Sequence, residues 1–148
     1  YVSQMIYIPD KSSQMVAVGG CGFLAVLDFR SGKLIARSDQ MESELTCCAL
    51  IKNGTKCVVG TQEGTIEQWK SGDWGNIETR STSIASSGIE SMLKVDEERI
   101  LTGGEDGLIR LLSIEPTQYI SAIAEHAECP IEAMQFSRDK KLLGSIGH

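Results

Sequence analysis

The chain has 148 residues, 41% of them hydrophobic and 23% charged, and 14 Lys and Arg against 20 Asp and Glu leave a formal net charge of −6. Binding nucleic acid by phosphate neutralisation needs a basic patch, and the densest basic cluster, Arg138-Asp139-Lys140-Lys141, carries an acid inside it, so direct RNA or DNA binding is disfavoured. No apolar run approaches the roughly 18 residues of a membrane span, which gives no reason to expect a membrane partner.

Taken in chain order, the elements repeat. The first unit predicts strands at 2–8, 15–18, 23–29 and 34–37. The second predicts them at 45–51, 57–59, 65–70 and 77–81, and the third at 89–95, 100–102, 108–114 and 119–124. A fourth unit begins with strands at 131–136 and 142–145. One phrase recurs near the middle of each unit: Val18-Gly19-Gly20, Val59-Gly60-Thr61, Thr102-Gly103-Gly104 and Ser145-Ile146-Gly147, at intervals of 41, 43 and 43 residues. After the first three comes a turn glycine (Gly22, Gly64, Gly107) and an alternating apolar run. Short strands bounded by Gly, Asn, Asp and Pro at regular spacing argue for an all-β fold. Four antiparallel strands per unit of about this length make a propeller blade. The chain is therefore read as a β-propeller segment of about three and a half four-stranded blades, divided at 1–40, 41–83, 84–125 and 126–148. The least polar second strands are expected between neighbouring blades, and the charged fourth strands at a solvated outer edge.

Five cysteines, an odd number without a CxxC pair, read as small buried hydrophobes of a reducing compartment. Two histidines without ligand spacing to a cysteine offer no metal site, and no cofactor is implied. Gly19-Gly20-Cys21-Gly22 lacks the following helix that stabilises phosphate, so it reads as a hairpin. Asn53-Gly54-Thr55 matches a glycosylation sequon but reads better as a two-residue turn supplying positive φ angles. His126 has no Ser, Cys or carboxylate arranged beside it as a catalytic partner. Asp106 and Glu63 flank hairpin glycines, where a side-chain oxygen can bond nearby backbone N–H groups. No enzyme constellation is found.

These residues resemble WD40 repeats, whose units run from a His near the start through an apolar strand, a polar turn, a small-residue strand and an Asp-Gly hairpin to a Trp-Asp ending. His126, Ile131, Met134, Phe136, Ser137-Arg138-Asp139 and Leu142-Leu143-Gly144-Ser145 follow that pattern in the last unit, Glu105-Asp106-Gly107-Leu108-Ile109-Arg110 in the third, and Trp69 holds the Trp position of the second. Tyr1-Val2-Ser3-Gln4-Met5, Val59-Gly60-Thr61-Gln62-Glu63-Gly64-Thr65, Ile100-Leu101-Thr102-Gly103 and Asp139-Lys140-Lys141-Leu142-Leu143-Gly144-Ser145 narrow the resemblance to the late blades of the WD repeat-containing protein 55 family, in a form similar to plant members. The resemblance covers all 148 residues. It implies a nuclear and nucleolar setting, with the cytoplasm as a further compartment, and a role in ribosomal RNA production and large-subunit maturation. Some family members look like substrate receptors of cullin–RING ubiquitin ligases.

The resemblance also assigns Trp69, Asp106 and His126 to structural positions, and departs from its own pattern there. The hydrogen-bond network of a WD40 blade needs a His, yet Gln40-Met41-Glu42 stands where the partner of Trp69 is expected. The third unit has Leu112 in place of Trp, so no complete network is expected. Two partner contacts are candidates. In Leu27-Asp28-Phe29-Arg30, Asp28 and Arg30 match the Trp-Asp-x-Arg ending with which ligase receptors meet their adaptor, while Leu27 departs from it; the alternative is an ordinary strand-end pair. Trp74, in a polar Gly-rich loop, is expected to stand exposed as a protein contact, or else to fold back over the blade edge. The leading reading is a non-catalytic scaffold for pre-ribosomal factors, and the alternative is a ubiquitin-ligase substrate receptor. Because the chain starts at Tyr1 and stops after the second strand of its fourth unit, it is expected to be part of a longer ring, closed by remaining blades or by a second copy.

Overall fold

Fourteen strands carry the chain in a computed structural model that describes residues 1–82, 84–127 and 129–148. The expected unit boundary at Ser83 lies outside the described residues. The first sheet holds β1 (Val2–Tyr7), β2 (Gln14–Gly19), β3 (Ala25–Asp28) and β4 (Lys33–Arg37). The second holds β5 (Leu45–Ile51), β6 (Lys56–Thr61), β7 (Ile66–Lys70) and β8 (Thr79–Ser81). The third holds β9 (Ile89–Lys94), β10 (Arg99–Gly104), β11 (Leu108–Ser113) and β12 (Gln118–Glu125), and β13 (Ala133–Phe136) pairs with β14 (Leu143–Ile146). Each sheet is an antiparallel meander in sequence order, and no helix occurs among the described residues. This is the all-β architecture of three four-stranded blades and the inner half of another.

The sheets stack face to face, and the apolar residues between them form three clusters in succession. Val16, Val18, Leu24 and Val26 of the first sheet pack on Leu45, Cys48, Val59 and Trp69 of the second. Val58 and Ile66 of the second meet Ile89, Ile100 and Leu112 of the third. Leu101 and Ile109 meet Ile131, with Met134, Phe136 and Leu143 of the last sheet against them. Successive strand residues point to opposite faces, so one strand feeds two clusters: Val59 belongs to the first and Val58 to the second. This explains why the second strands carry so little polarity; β6 is buried along its whole length. The outer strands β4, β8 and β12 are exposed, as their charges imply.

The repeated phrase has two packing causes. A Cβ on Gly60 would come 2.8 Å from Ile89 Cγ2, and one on Gly103 would come 2.5 Å from Ile131 Cγ2, so only glycine lets the next sheet's isoleucine sit against the strand. The following turn glycine, Gly22 in the first sheet, takes φ 72° and accepts a hydrogen bond at its carbonyl from Met41 N at 2.6 Å. Gly64 accepts from Ala85 N in the same way, and Gly107 from His126 N. Each hairpin turn is thereby latched to the segment that enters the next sheet.

Two local expectations change. Asn53 and Gly54 do take positive φ, but so does Lys52, and the loop is a four-residue turn between Ile51 and Lys56 rather than a two-residue one. The cysteines divide: Cys47, Cys48 and Cys57 are buried, whereas Cys21 is exposed and Cys129 half-buried.

Candidate functional site

The latching bonds identify equivalent positions. Met41, Ala85 and His126 all donate their backbone N–H to the hairpin glycine of the preceding sheet, so they occupy one site in successive units. Only His126 carries an imidazole there, and its Nε2 lies 2.8 Å from Ser145 Oγ on β14. Met41 stands at the equivalent place in the second unit and packs on the core. Trp69 is fully buried, and its Nε1 has no hydrogen-bond partner among the described residues. The second unit has neither member of the His126–Ser145 pair, with Met41 and Val59 at those positions, and the indole N–H of Trp69 stands without a partner among the described residues.

Asp106, beside the turn glycine of β10–β11, accepts from Leu108 N at 3.2 Å and from Arg110 Nη1 and Nη2 at 2.9 and 2.5 Å. The Arg110 guanidinium holds its carboxyl below the usual carboxylate range, against an opposing effect of burial. The second unit has no such pair. Its aligned residues are Glu63 and Glu67, both acids, and Glu67 instead takes Arg80 Nε at 2.9 Å and Nη2 at 2.7 Å from β8. Burial pushes the Glu67 carboxyl up despite that guanidinium.

Of the two candidate contacts, Asp28 is tied down. It accepts from Ser13 Oγ at 2.8 Å and from the N–H groups of Arg30 and Ser31 at 2.9 Å each, and these bonds, led by Ser31, lower its pKa. The turn it fixes leaves Arg30 exposed and outside the ion pairs found among the described residues. Trp74 is not exposed, which overturns the exposed-contact reading and agrees with the alternative that it folds back. The Lys70–Asp73 bridge, closed by Asp73 N donating to Lys70 O at 3.0 Å, reverses the chain. Asp39 N then bonds Gly75 O at 3.0 Å, and Trp74 folds into the cluster between the first two sheets, 8% exposed. Burying a large apolar indole outweighs the polarity of its flanks.

The inner wall was not legible as a unit. The register slips by one residue at Ser3 on β1, Thr46 on β5 and Glu90 on β9, a bulge at the same place in three sheets. Bulges re-aim side chains, and these three line one cavity of about 220 Å³ together with Glu132. Glu90 is held protonated to higher pH by burial first, then by Glu105 and Glu132. Neighbouring polar side chains join the sheets: Cys48 N donates to Gln4 Oε1 at 2.7 Å, Thr46 Oγ1 to Ile89 O, and Ser91 Oγ to Ile131 O at 2.6 Å. The buried Cys47 thiol is pushed up to about 12 by burial, which suppresses the nucleophilic thiolate.

Repeated four-stranded meanders, latched by hairpin glycines and carrying remnants of a His–Ser and Asp–Arg network, define a WD40 β-propeller segment. The chain is homologous over its full length to the WD repeat-containing protein 55 and JIP5 proteins. It is 36% identical over 148 residues to WD repeat-containing protein 55 of Arabidopsis thaliana, matching 100% of this chain and 41% of that protein. It is 34% identical over 151 residues to WD repeat-containing protein JIP5 of Cryptococcus neoformans, covering 40% of it, and 32% identical over 148 residues to the Bos taurus WD repeat-containing protein 55, covering 38%. The chain spans about two fifths of the length of these relatives. No family model matches it.

Proposed function

We propose that the protein is a non-catalytic interaction scaffold acting in nucleolar ribosome biogenesis and ribosomal RNA processing, with pre-ribosomal proteins as its partners and the nucleus and nucleolus as its setting. The observation that carries the scaffold reading is the stack of four-stranded sheets with its full-length likeness to WD repeat proteins. His126 Nε2 does meet Ser145 Oγ at 2.8 Å, but no third group orients that imidazole among the described residues. What remains free is surface, namely loops, the inner wall and the sheet edges. The nucleolar setting rests on the likeness to the WD repeat-containing protein 55 family. Affinity purification of the tagged full-length protein, with imaging of the same tag, tests it. Enrichment of large-subunit precursors and nucleolar signal support the reading; their absence rejects it.

Arg30 favours a second reading, a substrate receptor of a cullin–RING ligase. Asp28 holds the turn so that the Arg30 guanidinium stands in solvent, free to meet an adaptor. Recovery of cullin and adaptor in that purification, lost with Arg30→Glu, supports this alternative; an unchanged adaptor yield rejects it. Exposed Val2 and Met5 on the first sheet, and Leu142 and Ile146 on the last, suit burial against further blades or a second copy. Light scattering distinguishes a monomeric ring from a dimer.

A further inference from the structure

The second sheet contains a charge arrangement that the third does not. In the third, the acid of the hairpin turn and the base two residues into the following strand neutralise each other, as Asp106 and Arg110. At the aligned positions of the second, Glu63 and Glu67 are both acids. Together with Glu42, Ser43, Thr65, Arg80 and Thr82 they line a cavity of about 90 Å³. Three carboxylates face one guanidinium there. Glu42 and Glu63 are exposed, whereas Glu67 is 1% exposed. Arg80 satisfies Glu67 Oε1, but Glu67 Oε2 and Ser43 Oγ are buried with no hydrogen-bond partner among the described residues. A buried carboxylate oxygen without a donor is costly, and burial has already shifted this group toward its protonated form.

From this geometry we infer that the slot takes the guanidinium of an arginine side chain presented by a partner protein. The ligand must be cationic, because the acids Glu42, Glu63 and Glu67 outnumber the single guanidinium of Arg80 in the lining. It must be small, because of the volume. It must bring several donors, because Glu42, Glu63 and Ser43, all with acceptor oxygens, are among the lining residues. The carboxylates form no cluster able to hold a metal ion among the described residues, which favours a planar group with donors spread along its edge over a point cation. Arg80 is 45% exposed at its side chain and lies on the outer three-residue strand β8, so it can yield to a second guanidinium beside it. The inference rests on the scaffold reading only in that the ligand belongs to a protein, and its test is independent of which cellular partner is found.

The probe is acetyl-Gly-Arg-Gly-amide, titrated into the full-length protein at low salt and followed by saturation-transfer NMR. The citrulline peptide, isosteric and uncharged, and the lysine peptide serve as comparisons. Saturable binding of the arginine peptide is expected, with no binding of the citrulline peptide and weaker binding of the lysine peptide. The double variant Glu42→Gln, Glu63→Gln is expected to weaken the arginine peptide about tenfold or more through loss of charge-assisted hydrogen bonds. Both side chains are exposed, so the variant leaves the core untouched, and an unchanged circular-dichroism melt verifies the fold. Equal binding of citrulline or lysine peptide, or an affinity unmoved by the double variant, overturns the assignment. If the pre-ribosomal purification fails while the arginine peptide binds, the cellular role is wrong and the slot stands; the opposite pair of results removes the slot alone.

Discussion

Gly22 and Gly32 form a matched pair in the first sheet, and replacing each by alanine separates backbone chirality from inter-sheet latching. Both adopt the left-handed conformation, at φ 72° and 68°. Forcing alanine into that region costs about 1–2 kcal/mol at either site. A Cβ on Gly32 meets nothing within 4 Å, so Gly32→Ala should lose that amount and no more. A Cβ on Gly22 would stand 2.6 Å from Met41 O and 3.2 Å from Ser43 O. The entering segment of the second sheet must then move away, at about 1–3 kcal/mol for the overpacking. Its Met41 N–H bond to Gly22 O, 2.6 Å long, is weakened with it, which adds about 1 kcal/mol. Gly22→Ala should therefore cost about 2–4 kcal/mol more than Gly32→Ala. Urea denaturation of the full-length protein reads this as a midpoint lower by about 1–2 M, taking a slope near 2 kcal/mol per M. Equal midpoints for the two variants would show that the hairpin glycines serve the turn alone and that the latch contributes nothing.

The remaining predictions concern buried side chains and titration. Trp74→Ala should destabilise by about 3–5 kcal/mol, as for a core tryptophan, and an effect below about 1 kcal/mol in the same denaturation would return Trp74 to the surface. Trp69→Phe should cost no more than about 1.5 kcal/mol despite complete burial, because the N–H it removes has no partner; a larger loss would reveal an unseen acceptor. The two hairpin acids should respond to pH with opposite sign. Asp106 has a lowered folded pKa, so its stabilisation is present above its unfolded pKa near 3.8 and is lost as pH falls through the lower folded value. Glu67 has a raised folded pKa, so stability is lost as pH rises from about 4.5 through that value, and Glu67→Gln should abolish the loss. Thermal melts from about pH 2 to 7 on Asp106→Asn and Glu67→Gln check both; parallel pH profiles for the two variants would contradict the assignments.

Most of the fold could be read from the chain because its cause is periodic. Alternation in β6 and β10 places one side of each strand in one cluster and the other side in the next, and that pattern survives in a single sequence. The strand ends followed less well. The fourth strand of the second sheet was expected over 77–81, but it is only Thr79–Ser81, since Ile77 packs on the core instead. Among the site residues, Asp106 bonds the Leu108 N–H as its place beside a turn glycine implied, whereas its pairing with Arg110 and the meeting of His126 with Ser145 were not read from the sequence. Trp74 did not stay at the surface, because a polar loop says nothing about the uncovered apolar area beside it. The slot at Glu63 and Glu67 had a signal in the alignment of the units, where acid and base in one repeat become two acids in the next. Arg80, Ser43 and Glu42 joined it only through packing.

By itself the sequence determined the repeat, its four-stranded unit, the turn glycines and the absence of histidine at the Met41 position. These are local or periodic properties, set by φ angles, side-chain alternation and residue identity. Tertiary structure decided which side chains lost water and which found partners. Glu67 is a polar strand residue until Arg80 takes one of its oxygens and the neighbouring segment covers the other. Trp69 is a motif position until the packing of the first two sheets buries it with no partner for its N–H among the described residues. Burial and pairing depend on what arrives from other strands and from the neighbouring sheet, and no local pattern encodes that meeting.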